Sequence, residues 1–157
     1  MSTWTLRRAT PADADRLVDF AIAMALETEQ KTLARETVEA GVRALLDDAG
    51  HGACLVAVDG TGAVVGTLSV TYEWSDWRNG VFWWIQSVYV APEHRRQGVF
   101  GALYAELERR ARRAPGVIGL RLYVERDNRR AMATYGALGM RETPYRVYET
   151  EFDPAAD

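Results

Sequence analysis

The stretch Ser87-Val88-Tyr89-Val90-Ala91-Pro92-Glu93-His94-Arg95-Arg96-Gln97-Gly98-Val99-Phe100-Gly101-Ala102-Leu103 decides the reading of this chain. An apolar strand runs into Pro92, which has no amide to give to a sheet and ends it. A basic loop follows, and Gly98 opens an amphipathic helix with Val99, Leu103, Leu107 and Ala111 on one face. The first amides of a helix have no internal acceptors and sit at the positive end of its dipole. Gly98 lets a ligand approach the backbone closely, and Arg95 and Arg96 bring full charge beside it. The combination suits a phosphate or diphosphate. A glycine-started helix with solvated arginines is the plainer alternative. No Gly-Lys-Ser/Thr and no Gly-x-Gly-x-x-Gly occurs here, so neither a Walker loop nor a dinucleotide fingerprint is present.

Working outward, the alternation predicts a strand over 3–8, and Thr10-Pro11-Ala12-Asp13 predicts a capped helix start. A second helix is expected over 36–47. Strands are expected over 53–58, 64–72 and 81–90, joined by turns at Asp59-Gly60-Thr61-Gly62 and Arg78-Asn79-Gly80. The helix from Gly98 extends to Arg113, Pro115-Gly116 breaks it, and a strand follows over 117–124. A last helix spans 128–138 with Gly139 at its end. One or two strands are expected within 140–152, and about 153–157 form a frayed tail. The order predicts an α/β domain over 1–157. Its sheet is mixed and mostly antiparallel, of six or seven strands with about four helices. The helix between the 81–90 and 117–124 strands implies a parallel crossover.

The chain has 157 residues, 48% hydrophobic and 26% charged, enough for one domain with a core of its own. No apolar run approaches the ~20 residues of a membrane helix, and no signal segment opens the chain, so a cytoplasmic protein is expected. The single cysteine, Cys54, cannot form an internal disulfide, and with His51 and His94 it gives no metal-ligand set. A net charge of −3 argues against broad capture of nucleic acid. The arginines crowded over 95–130 are the only feature in favour of it, and the outward Glu106 and Glu108 oppose it.

The central segment resembles the GNAT acetyltransferase superfamily, whose motif is Arg/Gln-x-x-Gly-x-Gly/Ala between a strand ending in Val-x-Pro and a helix. Arg95-Arg96-Gln97-Gly98-Val99-Phe100 fits it, except that Phe100 stands at the last small position and Gly101 follows. Downstream, Asn128-Arg129-Arg130-Ala131-Met132-Ala133-Thr134-Tyr135-Gly136-Ala137-Leu138-Gly139-Met140 is similar to that family's Asn-x-x-Ala-x-x-x-Tyr-x-x-x-Gly-Phe segment, with Met140 for Phe. The resemblance covers about residues 3–150. It implies that the 81–90 and 117–124 strands splay apart and that acetyl-coenzyme A lies in the gap. Backbone groups of Val88, Tyr89 and Val90 would pair with its pantetheine arm. Its diphosphate would rest on amides from Arg96 through Gln97, Gly98, Val99 and Phe100 to Gly101, with Arg95 or Arg96 adding charge. Asn128 and Tyr135 complete the implied cofactor set, and Tyr135 is implied as the acid that protonates the leaving thiolate.

Acetyl transfer to an amine needs the amine neutral, although an alkylammonium near pKa 10.4 is protonated at pH 7. Many members of the family carry a glutamate on the strand before the loop, but this chain has no carboxylate between Asp76 and Glu93. Gln86 can orient a water and cannot hold the proton. Glu27 and Glu29, two acids in a helix's last turn against its dipole, are candidates for base and acceptor binding, with Glu73 a third. From Tyr72 to Trp84 six of thirteen residues are aromatic, with Glu73 and Asp76 among them. Trp83 and Trp84 must face opposite sides of a sheet. Aromatic walls with carboxylates suit a cationic acceptor, so Glu73 with Trp74, Trp77 or Trp84 is the expected subsite. Such a hairpin also fits core packing or a dimer surface, so a homodimer stays open. The expectation is therefore an acetyl-coenzyme A-dependent N-acetyltransferase acting on a primary amine of a small molecule or peptide, with no metal, nucleic acid or membrane partner. A non-catalytic acyl-coenzyme A sensor, or an enzyme acting on a protein lysine or N-terminus, is the alternative.

Overall fold

A computed structural model describes residues 4–153; Thr3 at the start of the first predicted strand and 154–157 of the tail lie outside the described residues. The chain separates into two compact units, residues 1–123 and 124–157.

The first unit opens with β1 (Trp4–Arg8), a short 3-10 turn at Pro11–Asp13, and α1 (Ala14–Glu29). Asp13 makes this corner. Its carboxylate accepts the Thr10 N–H at 2.7 Å and a two-pronged bond from Arg7 at 2.7 and 3.0 Å, closing the loop between strand and helix. Then come α2 (Arg35–Asp47), β2 (Gly52–Asp59), β3 (Val64–Ser75), β4 (Gly80–Val90), α3 (Val99–Arg113) and β5 (Val117–Leu122).

The five strands form one sheet in the order β1-β2-β3-β4-β5, with three antiparallel pairings and a parallel β4–β5 pairing. Tight hairpins join β2 to β3 and β3 to β4, β1 reaches β2 through α1 and α2, and the parallel pair needs α3 as its crossover. The expected six or seven strands are therefore corrected to five among the described residues. Residues 140–152 carry no strand, because a strand exists only where a neighbour takes up its backbone bonds, and the described residues of the second unit include no such partner.

One face of the sheet lies under α1 and α2, where Leu17 and Phe20 pack on Cys54, Val56, Tyr89 and Ala91. The other lies under α3. A Cβ on Gly66 would sit 2.8 Å from Val99, so helix and strand approach closely there. Val99, Leu103, Leu107 and Ala111 are all buried, as their spacing requires. On the outer surface of α3, Arg110 and Arg112 donate to Glu106 and Glu108 at 2.7 and 2.8 Å.

The second unit holds α4 (Arg129–Ala137), capped by Asn128, whose Oδ1 accepts the Ala131 N–H at 3.1 Å. Gly139 follows it at φ +91. Among the described residues no helix is long and apolar enough to cross a membrane.

Candidate acyl-transfer site

The site is built on β4. Its register against β3 slips between Ser69↔Ser87 and Val70↔Ile85, leaving Gln86 as an extra, bulged residue. On its other side β4 pairs with β5 only from Val81↔Val117 to Ile85↔Leu122. Beyond the bulge, residues 86–90 have no strand partner on that side within the first unit.

The Ala91 N–H donates to the Val65 carbonyl at 2.9 Å, so it faces β3. Backbone groups alternate along a strand, so those of Tyr89 and Ser87 also face β3, while those of Val88 and Val90 face the open edge. Of the three residues expected to offer backbone groups, Val88 and Val90 can do so. Tyr89 instead contributes its side chain to the α1 face, its ring 5.0 Å from that of Phe20.

The edge leads directly to the start of α3. Arg96 and Gly98 both adopt left-handed backbone conformations, at φ 62 and 87. The helical ladder begins with Ala102 N–H to the Gly98 carbonyl at 3.0 Å, so the amides of Val99 and Gly101 lie ahead of it. The Phe100 ring packs one turn along the helix, 6.2 Å from Tyr104. Gln97 donates to the Glu93 carbonyl at 3.1 Å and braces the loop.

The two arginines divide their work. Arg95 donates through Nε to the Val90 carbonyl at 2.9 Å and through a terminal nitrogen to Glu27 at 2.8 Å, its guanidinium 5.2 Å from the Tyr89 ring centre. Arg96 is exposed and makes no ion pair among the described residues. Arg95 thus clamps the strand end to α1, and Arg96 is the arginine whose charge is open to an anion.

Glu27 is the other half of that clamp. One oxygen accepts from Arg95 and the other from the Tyr89 hydroxyl at 2.8 Å. The Arg95 guanidinium, and after it the Tyr89 hydroxyl, hold its carboxyl below the usual carboxylate range. A carboxylate so engaged is a weak proton acceptor. Glu29 lies exposed in the last turn of α1, before Gln30 at φ 53.

Further along the same sheet face lies a second cluster. Glu73 accepts from Trp84 Nε1 at 2.8 Å and from Arg121 at 2.6 Å. Arg121 stacks 3.7 Å from the Phe82 ring centre, and Trp84 lies 4.4 Å from the Tyr123 ring. Gln86 donates to Thr71 Oγ1 at 2.9 Å, which leaves its Oε1 as an acceptor on that face. Glu73, Trp84 and Gln86 therefore share one surface, as their expected role requires.

Trp74 is the correction. It pairs with Val81 on the opposite face, beside the Tyr72–Trp83 contact at 6.0 Å, because it is one residue from Glu73 and strand side chains alternate. Trp77 is in the turn, 88% exposed. Sequence reasoning missed Arg121, though it is the one charge in an otherwise apolar strand. It also missed Phe82 and Tyr123, for which only the register carries the information.

In the second unit Asn128 spends its side-chain oxygen on the α4 cap. Tyr135 sits in the last turn of α4, and burial pushes its phenol above the ordinary range.

The sheet is thus mixed, with a parallel pair that parts halfway beside a glycine-started helix. The profile of the acetyltransferase (GNAT) family matches residues 16–140. The chain belongs to the GNAT acetyltransferase family. Among solved structures it is similar to a possible acetyltransferase from Clostridium difficile 630, at 41% identity and TM-score 0.90, over 97% of this chain and 99% of that one. An aminoglycoside N-acetyltransferase in complex with coenzyme A shares the fold at 16% identity and TM-score 0.78, over 96% of each chain. A ribosomal-protein-alanine N-acetyltransferase from Brucella melitensis biovar Abortus 2308 does so at 17% identity and TM-score 0.73, over 95% and 99%. No curated protein sequence gives a significant match.

Proposed function

We propose that the protein transfers an acetyl group from acetyl-coenzyme A to a primary amine of a small molecule or peptide by direct attack. The observation that carries this reading is the unpaired β4 edge at Val88 and Val90 running straight into the start of α3. Val88 offers a carbonyl, and Val90 an N–H, to an extended amide-bearing arm. The amides of Val99 and Gly101 and the charge of Arg96 fit a diphosphate.

Acetyl-coenzyme A supplies an activated thioester when bound. The Val88 N–H is the donor suited to its carbonyl oxygen as negative charge grows there. Gln86 Oε1, held by the Thr71 bond, accepts from the amine or from a water beside it and so orients the nucleophile. The amine's proton leaves to solvent through that water, because the nearby carboxylates of Glu27 and Glu73 are committed to arginines. Tyr135 serves as acid toward the leaving sulfur, since a phenol is protonated at neutral pH and burial shifts it further that way. Glu73, Trp84 and Gln86 form the acceptor's floor, with Glu29 at the rim. Arg121 half-neutralises this floor, which favours an amine with a neutral or weakly polar neighbourhood over a polycation.

The absence of a carboxylate from β4 supports a second reading, a sensor that binds acyl-coenzyme A without turnover. An assay of coenzyme A release over antibiotics, polyamines, amino acids and peptide N-termini separates the two. Turnover above hydrolysis with at least one amine is expected. Tight binding of acetyl-coenzyme A with no turnover on any amine would establish the sensor. Calorimetry showing no binding at millimolar ligand would remove both.

A further inference from the structure

The sheet face beneath α1 and α2 contains a row that neither the clamp nor the acceptor floor uses. Cys54, Ser69 and Ser87 lie directly opposite one another across β2, β3 and β4. All three side chains are small, and above them is a cavity of about 60 Å³ walled by Leu17, Ala21 and Met24 of α1 and Val42 and Leu45 of α2. Larger residues in that row would fill it.

The floor is polar but satisfied. Ser69 Oγ and Ser87 Oγ bond each other at 2.7 Å, and Cys54 Sγ lies 3.2 Å from Thr67 Oγ1, which donates to the Leu55 carbonyl at 3.1 Å. No charged side chain lines the cavity. It therefore rejects an ammonium group and accepts an uncharged aliphatic one, since buried charge without a partner is costly.

Its position supplies the rest. Ser87 immediately precedes Val88, whose backbone faces the open edge, and consecutive strand residues are about 3.3 Å apart. Ser87 lines the cavity, so its floor reaches to within one residue step of the edge assigned to the thioester. Resting on the acyl-transfer reading above, we infer that this cavity receives the tail of an acyl group longer than acetyl. A volume of about 60 Å³ is several times the roughly 10–15 Å³ that admits one water, room for a short aliphatic tail of about two more carbons. Propionyl- and butyryl-coenzyme A are the donors it fits.

The test needs no acceptor. Calorimetry measures the affinity of coenzyme A and of its acetyl, propionyl and butyryl thioesters for the native protein, Ser69→Leu and Ala21→Leu. Each buried methylene is expected to tighten binding about fourfold, so butyryl exceeds acetyl by up to about fifteenfold. Both variants, which fill the cavity from floor and from wall, should erase that gain while coenzyme A binds as before. Unchanged coenzyme A affinity also shows that a variant is folded, and two variants guard against one failing. Affinity that is flat or falls with chain length in the native protein overturns the inference and leaves acetyl transfer standing. A gain that survives in both filled variants overturns it too, by placing the tail elsewhere. Failure of coenzyme A itself to bind is a different result, and removes the acyl-transfer reading together with this one.

Discussion

Arg96 joins two costs in one residue, and substituting it separates them. It holds φ 62 just ahead of Gly98, in a region that an L-residue occupies at about 1–2 kcal/mol. Glycine there escapes that strain but loses about 0.5–1 kcal/mol to the freedom of its unfolded chain. Arg96→Ala and Arg96→Gly remove the same guanidinium, so they differ in stability by the balance, with glycine ahead by about 0.5–1 kcal/mol. For a chain of this size that is a melting difference of roughly 1–4 °C. The two should agree in the other measurement. An exposed arginine on a phosphate is worth about 1 kcal/mol after solvent screening, so both variants bind coenzyme A about fivefold more weakly, with a shallower salt dependence. Thermal unfolding and calorimetry at two salt concentrations read both effects. Equal stability of the two variants would show that the left-handed turn is not held at Arg96. Unchanged affinity would show that its charge does not meet the diphosphate, and the division of labour between Arg95 and Arg96 would be wrong.

Three shorter expectations accompany it. Asp13→Asn should cost about 2–4 kcal/mol at pH 7, since it removes a nearly buried carboxylate with two bonds from Arg7 and one from Thr10 N–H. The Arg7 bond, first among the causes, lowers the Asp13 pKa, so its contribution is present above the unfolded value near 3.9 and is lost as pH falls through the folded value. Denaturation curves of the two proteins should converge in acid, and a gap independent of pH would refute the assignment. Tyr135→Phe should lower turnover on the best amine by about 10- to 100-fold with little change in coenzyme A affinity, a modest effect because a thiolate is already a fair leaving group; single-turnover kinetics decide it, and an unchanged rate would remove Tyr135 as acid. Burial pushes the Cys54 thiol up to about 11, so at pH 8 a disulfide reagent should leave it untouched in the native protein and label it on unfolding.

Local signals in the chain determined most of the architecture, for reasons that act over a few residues. Pro92 ends β4 and Gly98 starts α3 because a missing amide and a positive φ act locally. The buried face of α3 followed from a 3.6-residue period, and the end of α4 from Gly139. The candidate anion site was legible because it consists of consecutive residues. Tertiary structure decided what depends on register and on distance in the chain. Nothing in the order of residues says that the bulge falls at Gln86, or which backbone groups of Val88, Tyr89 and Val90 face the open edge. Glu27 read as a candidate base because its partners, Tyr89 and Arg95, lie more than sixty positions away. Arg121 joined Glu73, and the Cys54–Ser69–Ser87 row formed beneath two helices, only when the strands were aligned. The physical reason is that a one-residue shift in pairing turns every side chain to the other face, and that shift is settled by the packing of the whole sheet.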